Sequence, residues 1–135
     1  MKIVLDTNCL LRAVPEKSVF NCILTAFQQG RYTLCCSNDI LMEYEEMLMR
    51  FYSKRISDHI LNFIFYSPNA LMITPYFQWN MIYADPDDNK FVDCALNAGA
   101  DYIVTNDQHF NILKSRNFPP IQVIDMETFK EILKL

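Results

Sequence analysis

The chain has 135 residues, 51% hydrophobic and 21% charged, with twelve Lys and Arg against sixteen Asp and Glu for a formal charge of −4. Size and apolar share fit one compact domain over residues 1–135 and exclude a disordered segment. The acid surplus excludes holding nucleic acid by bulk electrostatics alone, and having only Gly30 and Gly99 excludes the GxxxxGK[ST], GxGxxG and GxSxG signatures.

Lys2 to Leu5, closed by Asp6, has the pattern of a strand buried on both faces of a parallel sheet. Phe20, Ile23, Leu24 and Phe27 recur at helical spacing and predict a helix over Ser18 to Gln29, stopped at Gly30. Tyr32 to Cys36 reads as a second strand. Ser37 then serves as N-cap, with Asp39 in the first turn, for a helix to about Phe51. Ser57 to Tyr66 reads as a further helix ended by Pro68, and Ala70 to Thr74 as a strand of the same sheet. Asp85-Pro86 opens a helix that runs to Ala98 and closes at Gly99. Tyr102 to Thr105 is another strand, followed by a loop or short helix through Leu113, a last strand over Ile121 to Ile124 and a helix over Glu127 to Leu133. This alternation specifies α/β architecture: a mostly parallel sheet with helices on both faces.

The cysteines (Cys9, Cys22, Cys35, Cys36 and Cys94) are odd in number, contain no CxxC pair and sit in apolar runs, so they read as reduced core residues in a cytoplasmic protein. Asp6, four residues after Lys2, interrupts any signal-peptide core, and no apolar run approaches the ~20 residues of a membrane span. His59 and His109 form no HExxH pair and read as surface or packing residues. The aromatic-rich stretch from Phe63 to Trp79 reads as core. Catalysis in such a chain falls to carboxylates.

Ligands of open α/β sheets bind beyond the carboxyl ends of the strands, where Asp6 and Asp107 stand. On the helix to Phe51 the stripe Ile40, Tyr44, Met47, Leu48 and Phe51 faces the sheet. Glu43 flanks that stripe, while Glu45 and Glu46 project to solvent. On the helix opening at Pro86, Phe91, Val92 and Ala95 define the buried face, Asp88 falls near its centre, and Asp87 and Asp93 point elsewhere. Asp6, Glu43, Asp88 and Asp107 thus converge at one end of the sheet with no evident arginine or lysine among them. Like charges cannot share a site unneutralised, and hard cations prefer oxygen, so the cluster suits Mg²⁺ or Mn²⁺ and two-metal phosphoryl chemistry. A purely structural reading has Asp85, Asp87 and Asp88 favour a helix N-terminus, Asp6 and Asn8 cap the turn after the first strand, and Asp107 cap a following helix.

Ile3-Val4-Leu5-Asp6-Thr7-Asn8, Ser37 through Tyr44, Asp85 through Phe91 and Ala98 through Asp107 together resemble, in order, the PIN-domain nucleases. The likeness is strongest to the prokaryotic VapC-like toxins of type II toxin–antitoxin pairs. The resemblance implies an α/β/α three-layer sandwich that cleaves RNA with a metal held by its acids. It also implies a small antitoxin partner and a homodimer. Carried across, the family's four acids fall on Asp6, Glu43, Asp88 and Asp107, as catalytic and metal-binding residues. Its hydroxyl-bearing residue before the last acid falls on Thr105 and its polar residue after the first on Asn8, both supporting groups. No role is assigned to Asn106, and residues 52–83 match no family motif.

The leading expectation is therefore a metal-dependent endoribonuclease with Lys90, Arg50, Lys54, Arg55, Lys114 and Arg116 available to guide a phosphate backbone. Two alternatives use the same acids. One is an aspartyl phosphatase with Asp6 as nucleophile, although its usual acid two residues on is here Asn8. The other is a non-catalytic module whose acidic cluster docks a basic partner peptide.

Overall fold

A computed structural model describes residues 1–75, 88–115 and 121–135. In chain order they form β1 (Lys2–Leu5), α1 (Thr7–Ala13), α2 (Asn21–Gln28), β2 (Thr33–Cys36), α3 (Asn38–Phe51), α4 (Lys54–Phe65) and β3 (Ala70–Met72). Then come α5 (Asn89–Ala98), β4 (Tyr102–Val104), a 3-10 helix over Gln108–Ser115, β5 (Val123–Ile124) and α6 (Met126–Leu133). The Asp85-Pro86 cap, Asp87, Arg116 and the aromatic stretch beyond residue 75 lie outside the described residues.

The strands form one five-stranded sheet in the order β3-β2-β1-β4-β5, and every pair is parallel. Chain progress runs outward from β1 to β3, then returns to the other side of β1 for β4 and β5. Right-handed crossovers in opposite directions put their helices on opposite faces, giving the α/β/α layering; α5 lies across β1, β2 and β4. The reversal falls between β1 and β4. At such a switch point a crevice opens beyond the strands' carboxyl ends.

Apolar burial anchors this geometry. Ile3, Val4 and Leu5 of β1 are fully buried, as are Cys35 and Cys36 of β2, and each such Ile, Leu or Val side chain contributes roughly 1.5–3 kcal/mol. Fully buried Tyr44 of α3 donates its hydroxyl to the Leu5 carbonyl, tying the helix to the end of β1. Ser37, Ser53 and Asp125 cap α3, α4 and α6 by accepting from the amides of Ile40, Ile56 and Thr128 at 3.3, 3.1 and 2.7 Å. Gly99 ends α5 in the left-handed region at φ 65°. None of the cysteines is bonded to another; four are buried, and Cys22 is partly exposed. Burial pushes the Cys35 thiol up to about 11 and those of Cys9 and Cys36 to about 12, so they stay protonated core groups.

Several expectations need correction. The segment after Asp6 is not a turn but helix α1, which its Thr, Asn and Cys, all poor helix formers, conceal in the sequence. Phe51 does not join the buried stripe of α3: it lies at the helix end, 61% exposed, and Met47 is only partly covered. Asp93 does not point away from the core but is buried on α5. In the aromatic stretch Phe63 packs edge-on against Phe27 at 5.5 Å, whereas Phe65 and Tyr66 are exposed. Among the described residues no helix is long and apolar enough to cross a membrane.

Candidate metal centre

Asp6 leaves the end of β1 at the switch point. It occupies the N-cap position of α1, yet its side chain makes no capping hydrogen bond. The carboxylate turns toward the neighbouring strand, where Oδ2 accepts from the Thr105 hydroxyl at 2.8 Å. Burial first, with the charges of Asp107 and Glu43, raises the Asp6 carboxyl to about 6 against the lowering effect of Thr105. An acid so placed is held ready for a cation.

Glu43 sits on the flank of α3, at the phase expected, with Glu45 and Glu46 exposed beside it. It accepts a hydrogen bond from the Thr7 hydroxyl. Lys90, in the first turn of α5, places Nζ 2.9 Å from Glu43 Oε1, with both side chains about three-quarters buried. The expectation that no lysine enters the acidic cluster is therefore wrong. Arg50 and Lys54 lie apart from it, in exposed pairs with Glu46 and Asp58 at 3.6 and 3.5 Å.

Asp88 stands at the N-cap of α5 with helical backbone angles, and it too makes no side-chain capping bond; the opening expected at Pro86 lies outside the described residues. Asp107 follows β4. Its amide donates to Thr105 Oγ1 at 3.0 Å, and its Oδ1 accepts the His109 amide at 2.9 Å, so a capping role does hold for this acid. His109 is not a packing residue: its Nδ1 lies 3.5 Å from Asp107 Oδ1 and 3.7 Å from Asp88 Oδ2. Asn106 bridges elsewhere, its Oδ1 accepting the Met126 amide at 3.2 Å.

All four acids line one cavity of about 190 Å³, together with Thr7, Asn8 and Met47. Through Glu43 and Met47 it adjoins a shallow acidic groove that also touches Asp39, Glu45, Glu46 and Lys90. One ammonium and one imidazole stand against four carboxylates, so the cavity keeps a surplus of hard oxygen donors. That donor set fits a divalent metal such as Mg²⁺ or Mn²⁺. Sequence reasoning missed Thr7 and His109 at the site and offered Lys90 only as a guide for the phosphate backbone. Their only signal was proximity, each lying within two residues of a predicted acid.

A family model described as PIN domain matches residues 2–109, a span that contains all four acids. Among solved structures, the fold is similar to a chain in the crystal structure of VapBC2 from Rickettsia felis bound to a DNA fragment from their promoter. The TM-score is 0.62 at 17% sequence identity, over 93% of this chain and 98% of that one. No curated protein matches the sequence.

Proposed function

The chain belongs to the PIN-domain family, and we propose that it is a metal-dependent endoribonuclease that hydrolyses RNA phosphodiester bonds at the cavity of Asp6, Glu43, Asp88 and Asp107. One observation carries the reading. Acids from the end of β1, from α3, from the start of α5 and from the end of β4 meet in a single cavity, where burial and like charge raise Asp6 to about 6. Such a cluster calls for Mg²⁺ or Mn²⁺, which supplies an activated water and offsets charge on the phosphate when bound.

The chain's own residues prepare that chemistry. Thr105 orients Asp6 through its hydroxyl, and the same oxygen receives the Asp107 amide, so one side chain sets both strand-end acids. Thr7 and Lys90 fix Glu43. Exposed Asn8 stands at the rim as a polar contact for the substrate backbone. Biologically, the reading is the toxin of a toxin–antitoxin pair, working in the cytoplasm as a single domain, with a small antitoxin partner and a homodimeric state. The family resemblance and the fold likeness to a VapBC2 chain support it. The phosphatase alternative is weaker, since the general-acid position holds Asn8.

The test is cleavage of a mixed RNA pool by purified protein in Mg²⁺, Mn²⁺ or EDTA, beside Asp6→Asn. Cleavage that requires metal and is lost in the variant is expected. Cleavage by Asp6→Asn, or in EDTA, would remove the assignment.

A further inference from the structure

We propose that His109 is a nitrogen ligand of the metal site and biases it toward Mn²⁺ over Mg²⁺. The inference rests on the metal-dependent reading above.

The geometry begins in the backbone. The His109 amide donates to Asp107 Oδ1 at 2.9 Å, closing a tight turn at the start of the 3-10 helix that brings the imidazole back over the acid it follows. Its Nδ1 then stands 3.5 Å from Asp107 Oδ1 and 3.7 Å from Asp88 Oδ2. These separations are too long for hydrogen bonds, which need about 2.7–3.2 Å. Donor atoms about 2.0–2.2 Å from a shared ion lie roughly 2.8–3.6 Å apart at right to tetrahedral angles, close to what is seen. One donor atom each from Asp88, Asp107 and His109 falls within 4.8 Å of the others. The imidazole is 46% exposed, so core packing does not account for its position.

A nitrogen donor changes which metal the site selects. Mg²⁺ is held by oxygen and keeps its waters, and gains little from an imidazole. Mn²⁺ accepts both oxygen and imidazole. A site of carboxylates alone has no such preference built in. Asp88, Asp107 and His109 supply it.

The experiment is calorimetric titration of Mn²⁺ and Mg²⁺ into wild type, His109→Ala and His109→Gln, with pulsed electron paramagnetic resonance of the Mn²⁺ complexes to detect a directly bound nitrogen. Circular dichroism checks that each variant is folded, and His59→Ala is the control for the exposed imidazole on α4. Expected are a nitrogen coupling in wild type and His59→Ala that both His109 variants lose, and a fall in Mn²⁺ affinity of about tenfold with Mg²⁺ changed less than about threefold. Mn²⁺ binding without nitrogen coupling in wild type overturns the role of His109 and leaves the metal site standing. An equal loss for both metals does the same. Failure of wild type to bind either metal overturns the metal-dependent reading, and this inference with it. Should a variant fail to fold, the wild-type spectrum still decides.

Discussion

The Thr105 hydroxyl meets Asp6 Oδ2 at 2.8 Å across the two central strands of the sheet, with both side chains buried. The same oxygen accepts the Asp107 amide at 3.0 Å. Thr105 therefore lowers the Asp6 carboxyl against burial while holding the backbone of a second acid. Thr105→Val keeps the shape and removes both bonds. Asp6 should then rise above about 6, and metal affinity at pH 7 should fall several-fold, with the pH of half-maximal Mn²⁺ binding displaced upward. Thr105→Ser should restore most of it. Mn²⁺ titrations at pH 6, 7 and 8 read the effect, and an unchanged pH profile would show that Thr105 does not tune Asp6.

Asp6 also sets a pH dependence of stability. Its carboxyl is raised from 3.8 to about 6 on folding, so between these values the folded state binds the proton more tightly than the unfolded state. By linkage the metal-free protein loses stability as pH rises from about 4 to about 6, by an amount of order 3 kcal/mol once the loss is complete. Asp6→Asn carries no such charge. In urea unfolding with EDTA, the variant should become the more stable protein above pH 6, and its advantage should vanish near pH 4. A constant difference across that range would mean the buried charge is already compensated.

The strand-end acids were legible because position in an α/β sheet follows from chain order: a strand buried on both faces, then an acid, names the crevice. Glu43 was legible from helical phase, since Tyr44 and Leu48 fix which side of α3 faces inward. Asp88 was reached through an imperfect argument. The face set by Phe91, Val92 and Ala95 put it near the centre of a buried stripe, and it stands at the N-cap of α5, while the opening expected at Pro86 lies outside the described residues. The same phase sent Asp93 away from the core, yet α5 is buried continuously from Phe91 through Ala95, wider than a single stripe. The cations were not legible. Lys90 meets Glu43 only because α5 crosses the sheet beside α3, a long-range packing fact with no periodic trace in the sequence. His109 depends on a tight turn after Asp107, and turn geometry of that kind is set by side-chain to backbone bonds rather than by hydrophobic pattern.

Gly99 gives a prediction free of the site. It terminates α5 at φ 65°, and nothing lies within 4 Å of where a Cβ would stand. Gly99→Ala should therefore cost only the left-handed backbone, about 1 kcal/mol, and Gly99→Asn less. Denaturant midpoints at unchanged slope measure it. A loss above about 3 kcal/mol would point to a steric role that the open surroundings deny.

Lys90 holds Glu43 at 2.9 Å in a pair about three-quarters buried on each side. Its ammonium competes with any divalent ion for that carboxylate and is a positive charge that repels one. In EDTA, Lys90→Met leaves Glu43 with the Thr7 hydroxyl but without the ammonium, and stability should fall by about 1–2 kcal/mol, between the values for exposed and buried pairs. Removing the competitor should at the same time tighten Mn²⁺ binding several-fold. Metal would then restore the stability that the lysine supplied, so the gap in melting temperature between variant and wild type should narrow or close at saturating Mn²⁺. If Lys90→Met instead weakens Mn²⁺, the ammonium acts by positioning Glu43 for the metal rather than by standing in its place.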